Sequence, residues 1–453
     1  MELISPLDNI FLLGESREHP MHVGGLQLFE PPEDAGPEFV RDAFDAMLNA
    51  TDVQPTFRKH PAFLGGITNV AWSADKDVDL EYHLRRSALP RPGRVRELLE
   101  LTSRLHGTLL DRHRPLWEAH LVEGLEDGRY ALYVKVHHSL IDGVSAQRLM
   151  QKTLTPDPDD DELRVSWALK PRRSKGSGSG PSPLEMLTRT VGSVAALGPS
   201  TLGLARSALL EQQLTLPFRA PKTMFNVRIG GARRVAAQSW SLERFKRVKA
   251  AAGGVTVNDV VLAMCAGALR AYLLDHNALP ETPLVAMVPV SLRTEKDDDR
   301  SGNMVGTILC SLATHLDDPA QRLDAIHESM TENKKVFTQL PHIQQLALSA
   351  FLTGGVALAL VPGFVSNAPP PFNIVISNVP GPRVPLYWKG ARLDGNYPLS
   401  IALDGQALNM TLTNNADNLD FGLVGCRRSI PHLQHLLGHL ETALKDLERA
   451  AGV

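Results

Sequence analysis

The chain has 453 residues, more than one ordinary hydrophobic core holds, so its length predicts two domains of roughly 200 residues each. Hydrophobic residues make up 43% and charged ones 21%, a globular composition without collagen-like or coiled-coil bias. A net charge of −3 gives no reason to expect nucleic acid as a partner.

The N-terminal stretch MELISPLDNIFLL carries acids early and has neither a basic region nor a cleavage site, so no signal peptide is expected. Residues 22–29 alternate as a strand and stop at Pro31-Pro32, and residues 37–49 place Phe39, Val40, Phe44, Met47 and Leu48 at helical spacing. An amphipathic helix is predicted over 95–110, strands over 116–123 and 130–136, and a helix over 142–153. The acidic run 156–162 and the basic, then Gly/Ser-rich run 171–181 bury too little apolar surface to order themselves. The predicted division is therefore 1–155, a flexible linker at 156–183, and 184–453.

The second half opens with a helical region at 184–214 and a strand at 234–240. A strong helix follows at 259–270, where Thr256 and Asn258 stand as cap residues and Asp259 as an early acid favoured by the helix dipole. Strands are predicted over 284–290, 305–312, 372–377 and 408–412, with a terminal helix over 431–450. Strands and helices alternate in both halves, which predicts an α/β or α+β sandwich-like fold.

Residues 336–382 hold no Asp, Glu, Lys or Arg, but the apolar run at 346–361 contains Gly354-Gly355 and stops at Pro362. That is short of the roughly 20 apolar residues of a spanning helix, so a buried or interface-touching helix is predicted and no transmembrane helix. Cys265, Cys310 and Cys426 are widely spaced and in no CxxC pair, which argues against disulfides and zinc and for a reducing, cytoplasmic compartment.

The chemistry concentrates at His137-His138-Ser139-Leu140-Ile141-Asp142-Gly143. By strand alternation Leu132, Val134, Val136 and His138 share one face, and Tyr133, Lys135 and His137 the other. His138 thus extends an apolar, core-directed face, where burial lowers an imidazole pKa toward the neutral, proton-accepting form. Adjacent strand residues point apart, so the two histidines do not readily chelate one metal ion. Gly143-Val144-Ser145-Ala146-Gln147 misses the serine-hydrolase elbow G-x-S-x-G at its last position. A structural histidine at a strand end remains the plain alternative.

The segment HHSLIDG matches the HHxxxDG motif of the CoA-dependent acyltransferase superfamily. In order along the chain stand also Ser5-Pro6-Leu7-Asp8, Pro20-Met21-His22-Val23-Gly24-Gly25-Leu26, Pro115-Leu116-Trp117, Asn258-Asp259, Pro289-Val290-Ser291-Leu292-Arg293 and Ser377-Asn378-Val379-Pro380-Gly381-Pro382. Together they resemble the bacterial wax ester synthase/diacylglycerol acyltransferase family, over essentially the whole chain except the linker.

The resemblance implies two chloramphenicol-acetyltransferase-like domains, each a mixed sheet with helices, with a tunnel at their interface. It implies transfer of a long-chain acyl group from acyl-CoA to a fatty alcohol or diacylglycerol, without metal or bound cofactor. His138 matches the general base, His137 a supporting histidine, and Asp142 a structural acid whose candidate partner is Arg293. Asn258 and Asp259 match a supporting motif, while Pro115, Trp117, Ser377 and Asn378 match segments tied to the tunnel and domain junction. Gly355 would make room in the tunnel wall. Gly143, Asn258 and Asn303 are the candidate oxyanion donors. The implied setting is cytoplasmic, peripheral to the membrane or lipid inclusions, with oligomers left open. Competing readings are another HHxxxDG acyl transfer or condensation activity, and a non-catalytic lipid binder.

Overall fold

The computed structural model describes residues 2–62, 71–170, 217–291, 305–339, 365 and 368–453. The chain begins with β1 (Glu2–Leu3), α1 (Pro6–Gly14), β2 (His22–Glu30), α2 (Phe39–Leu48), β3 (Lys59–Pro61), β4 (Ala71–Ala74), α3 (Leu80–His83) and β5 (Leu84–Ala88). It continues through α4 (Val95–His106), β6 (Trp117–Glu123), β7 (Tyr130–His137) and α5 (Gly143–Gln151). The second half runs β8 (Arg233–Ser241), α6 (Leu242–Ala252), α7 (Val257–Asp275), β9 (Val285–Ser291), β10 (Val305–Ser311) and α8 (Pro319–Gln339). It closes with β11 (Ile374–Val379), β12 (Tyr387–Trp388), β13 (Ala391–Leu399), β14 (Leu408–Asn415), β15 (Asn418–Cys426) and α9 (His435–Ala451).

Two mixed sheets dominate, in the orders β12-β13-β2-β7-β6-β5 and β10-β9-β11-β14-β15-β8, beside a small β1-β4-β3 sheet. The fold is thus mixed α/β with two sheet-rich domains, as the alternation of elements predicts. The exchange of β12 and β13 was not expected. These strands come from the C-terminal half yet complete the N-terminal sheet, β13 pairing antiparallel with β2. A cut into 1–155 and 184–453 therefore divides the first sheet. Their sequence hides them: Gly395 and Pro398 read as breakers, whereas Gly395 sits at a register shift in the β13–β2 ladder. The crossing is held by Asp420 of β15, whose buried carboxylate accepts the Asn396 amide at 2.7 Å and the Asn415 side-chain amide at 3.0 Å. Gly422 allows the approach, since a Cβ there would collide with the Pro398 carbonyl oxygen.

The linker prediction also needs correction over its described part, residues 156–170. Val165 and Trp167 are buried, and the Trp167 ring stacks on Trp117 at 5.1 Å while its indole N–H donates to the Ala50 carbonyl. Two apolar anchors among polar neighbours suffice to pin a segment whose average composition reads as exposed. Residues 171–183 and the predicted helix at 184–214 lie outside the described residues, as does the apolar run at 346–361.

Local signals place most helix starts. Ser5 caps α1 by accepting the Asp8 amide at 3.1 Å, with Pro6 in the first turn. Thr256 and Asp259 form a reciprocal capping box on α7, so Asn258 lies inside the helix rather than capping it. Among the described residues α7 is the one helix long and apolar enough to cross a membrane by length and composition, but most of it is buried in the C-terminal core.

Candidate active site

β7 carries the histidine pair to one end of the N-terminal sheet. Leu132, Val134 and Val136 pack into the N-terminal core with Trp117 and Phe57, whereas Tyr133 faces the larger C-terminal core. The alternation is as predicted, but the strand is buried on both faces, because helices and the second half cover what a sequence shows only as a polar face. Lys135 is the clearest case: its fully buried ammonium donates to the carbonyls of Leu105 (3.1 Å) and Thr108 (2.8 Å) and lies 3.4 Å from Glu118. Burial pushes its pKa down.

The two rings have different surroundings. His137 is fully buried; its Nδ1 accepts the Ser139 amide at 3.2 Å and lies 2.6 Å from the Ser139 hydroxyl. With Nδ1 an acceptor, the ring carries a proton on Nε2, which lies 3.3 Å from Glu15. His137 has no free lone pair to offer a substrate. Glu15 in turn accepts Arg112 Nε at 2.9 Å and the Met21 amide at 3.3 Å, and the Met21 carbonyl accepts the His138 amide at 2.9 Å. Burial pushes the Glu15 carboxyl up, but His137 and Arg112 outweigh it and hold it below its ordinary range.

His138 is half-buried, with its ring stacked on Phe11 of α1 at 4.1 Å between centroids. Desolvation pushes its pKa down to about 4, against the opposing pull of Asp142 and a hydrogen bond to its own backbone. The ring is therefore neutral at pH 7, and with one nitrogen committed to the backbone the other is left to accept a proton.

Two cavities meet at this ring. One, about 330 Å³, runs toward the C-terminal sheet and is lined by residues of both halves, among them Val23, Met287, Val375 and Leu399. The other, about 840 Å³, is more polar and reaches Arg148, Lys152 and Lys170 at its rim. Both also touch Asp142.

Asp142 caps α5: Oδ1 accepts the amides of Val144 (3.0 Å) and Ser145 (2.9 Å), and Oδ2 accepts the Ser145 hydroxyl at 2.7 Å. Gly143, the first residue of α5, lines the smaller cavity, and its N–H is the first-turn amide not taken up by the cap. We expect Asp142→Ala to lower stability by about 1 kcal/mol through the lost cap, with Asp142→Asn largely preserving it, as read by urea unfolding. An unfolding midpoint unchanged in Asp142→Ala would contradict this role.

Of the other predicted site residues, Ser377 lines the smaller cavity. Asn378 donates to Asn258 Oδ1 at 3.4 Å, joining β11 to the start of α7. Asp259 is buried and bound to His327 at 2.8 Å. Neither Asn258 nor Asp259 is among the described residues that line the two cavities at His138. Trp117 stands one layer behind Phe57, which does line the larger cavity, and buried Pro115 precedes it. Arg293, Asn303 and Gly355 lie outside the described residues. Residues 85–96 carry five arginines, of which Arg86 pairs with Glu123, Arg94 with Glu97 and Arg96 with Glu100. Phe11, Glu15 and Gln147 were missed by sequence reasoning. Nothing local marks them, because their partners lie far along the chain or on the next element.

A family model for the wax ester synthase/diacylglycerol acyltransferase catalytic domain matches residues 4–261, and one for the C-terminal domain of that family matches 301–448. A "probable diacylglycerol O-acyltransferase" of Mycobacterium tuberculosis is 66% identical, over 100% of both chains. "O-acyltransferase WSD" of Acinetobacter baylyi is 41% identical over 99% of this chain and 97% of its own. The solved wax ester synthase/diacylglycerol acyltransferase of Marinobacter aquaeolei superposes with a TM-score of 0.79 at 42% identity, covering 100% of each chain. A condensation domain of the CDA synthetase shares the fold at a TM-score of 0.56 and 16% identity, covering 99% of this chain and 95% of its own.

Proposed function

The chain belongs to the wax ester synthase/diacylglycerol acyltransferase family and is an acyl-CoA-dependent O-acyltransferase, and we propose that it acts by direct transfer at His138. The acyl group is long-chain, and the acceptor is a fatty alcohol, giving a wax ester, or diacylglycerol, giving triacylglycerol. The observation that carries the mechanism is the position of a neutral imidazole where two cavities meet. A thioester arriving from one side and a hydroxyl from the other then converge on one base.

In the step, the acceptor oxygen bonds to the thioester carbon as its proton passes to His138. The tetrahedral intermediate holds its charge on the former carbonyl oxygen, for which we propose the Gly143 N–H at the α5 terminus, beside the smaller cavity, as a donor. Collapse breaks the C–S bond, and the imidazolium returns the proton to the CoA sulfur. The base and the activated thioester supply what the transfer needs, so no resident metal or cofactor enters the proposal. His137 acts by holding the strand end through Ser139 and Glu15 rather than by touching substrate.

The rim cations Arg148, Lys152 and Lys170 suit the CoA phosphates, which puts the apolar cavity on the acceptor side. Acceptors of this kind reside in membranes or lipid inclusions. The exposed Ile10 and Leu13 on the helix that carries Phe11, with Leu3 just before it, support peripheral contact with such a surface.

The test mixes purified protein with palmitoyl-CoA and either hexadecanol or diacylglycerol, following free CoA and the neutral-lipid product. Absence of both products with both acceptors would sink the assignment. Direct transfer further predicts no stoichiometric burst of CoA when the acceptor is omitted; a burst matching the enzyme concentration would mean a covalent acyl-enzyme.

A further inference from the structure

The smaller cavity contains a buried polar side chain that the mechanism does not use. Gln147 lies on α5, one helical turn after Gly143, and is only 3% exposed. It lines the same cavity as His138, yet among the described residues neither its amide nitrogen nor its oxygen has a hydrogen-bond partner. Of the other polar groups along that wall, Asp142 is committed to its cap, and the Thr411 hydroxyl to Asn409 Oδ1 at 2.7 Å. The remaining lining is largely apolar, with Met150, Met287, Pro289, Val375 and Leu399. Buried amides are normally satisfied, so an unsatisfied one aimed into a substrate cavity marks a group expected on the substrate.

Where α5 packs on β2, a Cβ at Gly25 would lie 2.5 Å from Met150 Sδ, three residues beyond Gln147. We infer that Gln147 recognises an acylglycerol acceptor by donating hydrogen bonds from its side-chain amide to ester carbonyls next to the reacting hydroxyl. Two N–H donors match the two ester carbonyls of a diacylglycerol. A plain fatty alcohol has no such acceptor and leaves the amide buried and unpaired, a mismatch that sites use to discriminate. This inference rests on the proposed function and deepens it, making diacylglycerol the preferred acceptor.

The experiment measures kcat/KM with palmitoyl-CoA for diacylglycerol and for hexadecanol in the wild type and in Gln147→Met, which keeps the volume and removes the amide. The ratio of the two values, diacylglycerol over hexadecanol, is expected to fall about 10-fold in the variant. A dialkylglycerol, whose ether links lack the carbonyls, gives an arm independent of the variant's folding. The wild type should use it about 10-fold less well than diacylglycerol, and Gln147→Met should not distinguish the two. An unchanged ratio, or equal losses with both acceptors, would overturn the inference and place the amide on the thioester or in a structural role. A wild type inactive with every acceptor would instead overturn the function on which the inference rests.

Discussion

Replacing His138 by alanine is expected to lower kcat for CoA release by about 10²–10⁴-fold, the usual contribution of a positioned general base. Two features of the structure argue for so large an effect. His138 is the ring that faces both cavities, whereas the acceptor nitrogen of His137 is already occupied by Ser139. Among the described residues no second imidazole lines either cavity. The same ring sets the pH response. Desolvation keeps it neutral down to a pKa of about 4, so its protonated, inactive form accumulates only as the pH falls toward that value. The acid limb of kcat/KM should therefore lie well below the ordinary imidazole range near pH 6.5 and disappear from the residual activity of the alanine variant. Binding of palmitoyl-CoA should persist, since removing the ring opens rather than blocks the cavities. Undiminished turnover in His138→Ala would refute the assignment of the base.

The second large effect concerns stability. Trp117→Ala is expected to cost about 3–5 kcal/mol, measured as a fall in the urea midpoint at unchanged slope. The indole is fully buried, stacked on His83 at 4.5 Å and on Trp167 at 5.1 Å, with its N–H donating to the Phe57 carbonyl at 2.9 Å. Alanine leaves a cavity in a layer that touches four chain segments: β6, the α3 turn, the Phe57 loop and the strap around Trp167. Phe57 forms part of the larger cavity's wall, so its displacement should also raise KM for acyl-CoA before unfolding is complete. Trp117→Phe, which keeps most of the area, should lose far less. A loss within about 0.5 kcal/mol for the alanine variant would show that the site is not packed as described.

How much of this was readable in advance follows the range of the interactions. HHSLIDG is a local object: a strand end, a turn and a helix cap within seven consecutive residues. Alternation along β7 separates the two histidines, and the short Asp142 before a helix reads as a cap; β7 ends at His137, one residue before His138, and the Asp142 cap is present. The resemblance carried by the ordered motifs supplied fold and activity, which periodicity alone left at a mixed α/β chain. Asn258, just before an apolar run, reads as a cap, but Thr256 reaches the third helical amide and takes that place.

What the sequence by itself determined was therefore the set of local elements, the chemistry-bearing segment and the class of reaction, because each is written in neighbours at spacings of two to four residues or in motifs kept in order. Only the tertiary structure decided the rest. The joining of β13 to β2 spans more than 360 residues of sequence, and Phe11 meets His138 across 127. The burial of Lys135 depends on α4, and the isolation of Gln147 on a wall built from both halves. Such contacts depend on which surfaces close over one another, and a strand's pattern cannot say what will cover its polar face.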